Sequence, residues 1–135
     1  MTQKNKELLL KDLCARLLYK TYLWTDRASE EPIIICSIYC DANDGHIDIM
    51  VDDGLTYDIE DVKPYLRPMS SMTEEEWEEL RLLKNQLVEC DEKNDEKFYG
   101  IIDEIHHLFY SRHIDCSNLI SKGLALEAPN GMYKE

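Results

Sequence analysis

Two Asp-Gly pairs, Asp44-Gly45 and Asp53-Gly54, punctuate a stretch of alternating apolar and polar residues, and no other feature narrows the fold as much. An Asp-Gly pair suits a type I′ turn, whose central residues both need positive φ and whose twist matches antiparallel strands. Between the pairs, Ile47, Ile49 and Val51 alternate with His46, Asp48, Met50 and Asp52, the period of a strand with one buried face. After the second pair, Leu55, Tyr57 and Ile59 alternate with Thr56, Asp58 and Glu60. Before the first, Ile33 to Cys40 is rich in β-branched and aromatic residues, as expected of a strand covered on both faces. Three strands joined by two tight turns describe an antiparallel meander.

Helical and extended segments flank it. Over residues 5–17, Leu9, Leu10, Leu13, Cys14 and Leu17 recur at helical spacing, with Lys11, Asp12 and Arg16 largely outside the stripe. Leu18 to Trp24 suits a first strand, and Ser29 to Pro32 a loop. Pro64 and Pro68 exclude a helix interior, so residues 63–68 are read as an edge strand leaving the sheet. Thr73 with Glu76 makes a capping box for a helix from Glu74 to about Cys90, burying Trp77, Leu80, Leu83 or the stem of Lys84, Leu87 and Val88. A second helix, from about Asp95 to Arg112, carries the stripe Phe98, Ile101, Ile102, Ile105, Leu108 and Phe109. Residues 117–122 suggest one more helical turn stopped by Gly123, and the tail after Leu126 is expected to be loosely held. The fold class is therefore α+β: an N-terminal helix, a small twisted antiparallel sheet and a C-terminal helical hairpin. An open sheet and a partly closed SH3- or Sm-like barrel both fit. Residues 1–72 hold the helix and meander and 73–135 the hairpin and tail. Each half alone has a thin core, so the two are expected to pack as one unit.

Charge bears on partners. The chain of 135 residues has a net charge of −13. Residues 1–29 hold six basic against three acidic residues, while 30–72 hold two against ten and 73–135 seven against fifteen. Such a surface repels a phosphate backbone and an anionic membrane, so neither direct nucleic-acid binding nor membrane binding is expected. Leu8 to Leu10 is too short for a signal-peptide core, and no run reaches the roughly 18 apolar residues of a membrane span. Five cysteines, an odd count, then read as free thiols in a reducing cytoplasm.

Candidate chemistry is sparse. Asp41 to Gly45 is one residue too short for a calcium loop and reads as a turn. His106, His107, His113 and Cys116 offer zinc-type donors, but their spacing fits no standard site; His106, His113 and Cys116 stay as weak metal candidates and no cofactor is expected. Cys36 and Cys40, four apart in a strand, read as buried apolar residues rather than a disulfide. Asp48, Asp52, Asp53 and Asp58 crowd the meander, and solvated turns account for them. Tyr65 and Arg67, with Trp24 upstream, offer an aromatic–cationic patch of the kind enriched at protein contacts. No catalytic motif is present, so no catalytic residue is assigned.

Three strings resemble a family of short uncharacterised proteins of gut Bacteroides-type bacteria and their phages and prophages: KDLCARL (11–17), IEDVKPYLRPMSSMTEEE (59–76) and KGLALEAP (122–129). Members of that family often carry Pro-Tyr-Gly after the first helix, where this chain has Leu18-Tyr19-Lys20. The resemblance implies a cytoplasmic setting and a link to mobile elements, and brings no activity or site residue with it. The expectation is a non-enzymatic module that binds another protein. The alternatives are an acidic nucleic-acid mimic that occupies a DNA-binding protein, and a metal-dependent or cysteine enzyme.

Overall fold

The computed structural model describes residues 1–26, 32–90 and 95–133, with Asp95 for its backbone alone. The loop expected over 29–32 and the helix break at 91–94 lie outside the described residues, apart from Pro32. Helix α1 (Gln3–Arg16) is capped by Thr2, whose hydroxyl accepts from the Asn5 amide at 3.1 Å. A single 3-10 turn (Leu17–Tyr19) and Lys20, in the left-handed region at φ 50°, deliver the chain into β1 (Tyr22–Thr25). Strands β2 (Ile33–Cys40), β3 (Ile47–Val51) and β4 (Thr56–Asp58) form the meander. A 3-10 turn (Ile59–Asp61) leads to β5 (Val62–Leu66), which folds back antiparallel onto β1. The hairpin α2 (Glu74–Glu89) and α3 (Asp95–Ser111) follows, and β6 (Leu126–Glu127) closes the order.

The sheet runs β4-β3-β2-β1-β5-β6. No ladder joins its margins among the described residues, so it is open rather than a closed barrel. All pairings are antiparallel except β5 with β6. The α+β expectation thus holds, with an added parallel strand. Residues 63–68 do not leave the sheet as an edge: β5 is interior, and the tail read as loosely held covers it. The Ala128 amide donates to the Leu66 carbonyl at 2.8 Å, fastening that tail. Residues 117–122 form turns rather than a helical turn, because the buried Asp115 carboxylate takes the Leu119 and Ile120 amides at 2.8 and 2.9 Å.

The main core lies between α1 and the sheet and includes Leu9, Leu13, Leu23, Ile49, Val62 and Leu66. Leu119, Leu124 and Ala125 pack into it from beyond α3. A second cluster of Met72, Leu80, Leu108 and Ile114 sits at the hairpin. Three burial expectations fail for identifiable reasons. Asp12 and Arg16 are buried, not peripheral, because 9, 12, 13 and 16 share one helix face and the two charges pair on it. Cys36 and Cys40 are exposed, as is Cys14. The second half of β2 pairs only with β3, and the register shift between Ile35 and Ser37 marks a bulge at Cys36 that spoils the run. Trp77 is 44% exposed and Val88 84%, because α2 turns Glu76, Leu80, Leu83 and Leu87 inward instead.

Candidate binding cleft

Along β5, Val62, Pro64 and Leu66 are buried, so Lys63 and Tyr65 take the opposite face, with Arg67 next in the alternation. Tyr22 and Trp24 do the same on β1, and Trp24 pairs in register with Lys63, whose Nζ lies 5.9 Å from the indole centroid. On this face, the end of α3 and the tail enclose a cleft of about 930 Å³. Tyr19, Lys20, Tyr22, Arg67, Arg112 and Tyr133 are among its walls, and His113 also lines it. A second groove, of about 730 Å³, shares Arg67, Arg112, Gly131 and Tyr133 with the first and continues past Thr73, Glu74 and Glu75.

Two polar assemblies shape the walls. Arg67 donates from Nη2 to Glu76 Oε1 at 2.7 Å and from Nη1 to Glu76 Oε2 at 3.0 Å. Its remaining bonds include the Ser71 and Arg112 carbonyls. Arg112 Nη1 reaches Glu76 at 3.5 Å. Hydrogen bonds from Arg67 hold the Glu76 carboxyl down at about 2, against an opposing effect of burial. The second assembly is aromatic. The Tyr133 ring stacks on His113, centroids 3.6 Å apart and planes 11° apart. Its hydroxyl donates to the Tyr65 carbonyl at 2.7 Å and accepts from the Tyr22 amide at 2.9 Å. Burial pushes the Tyr133 phenol well above its ordinary value. Burial also lowers His113 to about 4, with Arg16 and Arg67 adding to the effect, so its ring is neutral at neutral pH.

Tyr133→Phe keeps the stack and deletes both hydroxyl bonds. It should cost about 1–3 kcal/mol, since a carbonyl and an amide each lose a partner. Hydrogen exchange checks this: the Tyr22 amide should gain more in exchange rate than the Ile49 amide in the core of β3, which reports only the global loss.

Of the sequence candidates, Arg67 lines the cleft, while Trp24 and Tyr65 belong to the same sheet face outside its lining. His106, His113 and Cys116 are not gathered as a ligand set: His106 is exposed on α3 beside Tyr110, and His113 is stacked on Tyr133. No group of three His, Cys, Asp or Glu side chains among the described residues could hold a metal ion. The meander carboxylates have local work. Asp52 Oδ1 accepts from the Ile34 amide, Asp53 Oδ1 from Leu55 and Asp58 Oδ1 from Glu60. His46 lies 2.8 Å from Asp48 and 3.3 Å from Asp58 across the ladder, separating two like charges. Asp41 and Asp44 likewise cap the amides of Asn43 and His46, a turn and not a calcium loop. Lys20, Tyr22, Arg112 and Tyr133 escaped the sequence reading because they come from three segments far apart in the chain. Only the Tyr19-Lys20 turn left a local trace.

No family model, curated protein or solved structure matches the chain. No helix among the described residues is long and apolar enough to cross a membrane.

Proposed function

We propose that the protein is a non-enzymatic, cytoplasmic interaction module of a phage or mobile element, and that the cleft on the β1–β5 face receives its protein partner. The observation that carries this reading is the makeup of the cleft walls. Tyr19, Tyr22 and Tyr133 stand beside Arg67 and Arg112 in one concavity. Tyr and Arg dominate the energetic centres of protein contacts, because each combines a large apolar body with a directional polar end. The hydrogen bonds of Arg67 to Glu76, and of Tyr133 to the Tyr65 carbonyl and Tyr22 amide, preorganise those walls, which lowers the entropic cost of binding.

Site-specific photo-crosslinking in the native cells tests it. A benzoylphenylalanine at Leu18, which is 87% exposed and lines the cleft, should give one discrete adduct. The same probe at Leu55, exposed at the β3–β4 turn, should not. Equal adducts at both positions, or none at Leu18, would refute the assignment.

A further inference from the structure

We infer that the distal half of β2, Ser37 to Cys40, is an open edge that takes an extended basic segment of a partner protein as an added strand. The inference stands on strand geometry and does not depend on the cleft. Strand β1 accompanies β2 only as far as Ile35, whose amide donates to the Thr21 carbonyl at 3.1 Å. There Lys20, at φ 50°, turns the chain out of the extended form and into the 3-10 turn. Beyond Ile35, β2 pairs with β3 alone.

Hydrogen-bond alternation fixes which groups are open. At the end of the β2–β3 ladder the Asp41 amide donates to the His46 carbonyl at 2.8 Å. Tyr39 and Ser37, two and four places earlier, turn their main-chain groups to β3 in the same way. Ile38 and Cys40 therefore direct their amides and carbonyls to the other side, where no hydrogen bond meets them among the described residues. Two donors and two acceptors in line suit an extended chain, the pattern of strand addition. Ser37, Tyr39 and Cys40 are exposed, Tyr39 at 66%. The stretch carries no charge and no proline, the usual guards of an edge, and only the bulge at Cys36 interrupts it.

Charge selects the occupant. Residues 33–62 contain eight Asp and Glu and no Lys or Arg. His46 stands between Asp48 and Asp58, and Lys6 lies 3.5 Å from Glu60. The other five carboxylates, Asp41 at the end of the edge among them, form no ion pair among the described residues. A second copy of the chain would bring the same carboxylates to the contact. A strand with Lys or Arg at alternate positions would meet them with opposite charge. Tyr39 pairs with Asp48 across the ladder, and the two share one face of the sheet. An arginine of the added strand on that face would lie beside a phenol ring with a carboxylate beyond it.

Titrating the isotope-labelled full chain with peptides, followed by amide shifts and hydrogen exchange, tests the inference. The probe is acetyl-Arg-Val-Arg-Val-Arg-Val amide. One control replaces each arginine by glutamate. The other N-methylates the valines, which in antiparallel pairing sit opposite Ile38 and Cys40 when the arginines share the face of Tyr39. At saturation the probe should slow exchange of the Ile38 and Cys40 amides, and leave the Tyr39 amide, already turned to β3, little changed. It should bind roughly tenfold more tightly than either control, the worth of one or two hydrogen bonds or ion pairs. Tyr39→Lys, a substitution at an exposed position, puts a like charge on the edge and should weaken the probe roughly tenfold. Equal binding of either control, unchanged affinity in Tyr39→Lys, protection at residues 56–58 on the β4 margin instead, or no binding of the probe would each overturn the assignment. Protection of Ile38 and Cys40 in the chain alone, growing with its concentration, would name a second copy as the occupant and overturn it equally.

Discussion

Asp12→Ala is expected to destabilise the protein by about 3–5 kcal/mol, the usual cost of stripping one partner from a buried ion pair. Arg16 is fully buried and Asp12 is 3% exposed. The guanidinium donates from Nε and Nη2 to the carboxylate at 2.7 and 3.1 Å, and from Nη2 to the Ile114 carbonyl at 2.7 Å. Its carbon lies 4.9 Å from the Tyr110 ring centroid, and its Nη1 has no hydrogen-bond partner among the described residues. Without Asp12 the buried charge would keep the Ile114 carbonyl and the Tyr110 ring but lose the carboxylate that takes two of its hydrogen bonds. The contact to Ile114 spans 98 positions and ties α1 to the chain beyond α3, so the damage should reach the hairpin. The double variant Asp12→Leu/Arg16→Met should lose less than half as much, because it removes both charges and keeps the volume. Urea midpoints of the two singles and the double form the cycle; a single variant within about 1 kcal/mol of the parent would show the pair to be idle. Burial raises the Asp12 carboxyl, with Arg16 pulling against it. A raised folded pKa means the folded state holds that proton more tightly than the unfolded chain. This group's contribution therefore declines as pH rises from the ordinary 3.8 through the folded value.

The sequence revealed whatever local chemistry decides. Gly54 adopts φ 87° in the turn after β3, but Asp53 has no positive φ, so the turn is not the expected type I′; its Gly54 amide donates back to the Val51 carbonyl at 3.0 Å, and Ile47, Ile49 and Val51 bury the face their spacing marked. The capping box of Thr73 and Glu76 is made as written. What stayed hidden depends on partners far along the chain. Asp12 and Arg16 occupy the helix face of Leu9 and Leu13, yet only the Ile114 carbonyl and the Tyr110 ring make their burial tolerable. Arg67 draws Glu76 inward, which rotates α2 and turns Trp77 outward against its hydrophobicity. Strand β6 has two residues, too few for any periodicity, and exists because β5 offers it a margin. The cleft is the extreme case: Lys20, Arg67, Arg112 and Tyr133 meet only after the sheet, hairpin and tail have all closed.

Glu76 supports the other large expected effect. Its side chain is 3% exposed and serves three groups at once. Oε1 accepts from the Thr73 amide at 2.9 Å and from Arg67, and Oε2 accepts from Arg67 and faces Arg112. Glu76→Ala should cost about 2–4 kcal/mol, combining the lost acceptor of the Thr73 amide, half of the capping box, with the loss of the carboxylate that Arg67 and Arg112 share in a half-buried wall. Glu76→Gln keeps an acceptor for the Thr73 amide and deletes the charge, so it should fall between the parent and the alanine variant. Acid separates the two contributions. Arg67 lowers the folded carboxyl from 4.5 to about 2, so the folded state releases this proton more readily than the unfolded chain. The resulting stability is fully present above pH 4.5 and drains away as pH falls toward 2. At about 1.4 kcal/mol per unit, roughly 2–3 kcal/mol of the parent's stability should vanish across that window, and Glu76→Gln should lose correspondingly less. Denaturant midpoints at pH 7 and pH 3 measure the difference. Parallel losses in parent and Glu76→Gln would mean that the Arg67 pairing contributes no pH-dependent stability, and that the wall of the cleft is held by the helix cap and the Tyr133 latch alone.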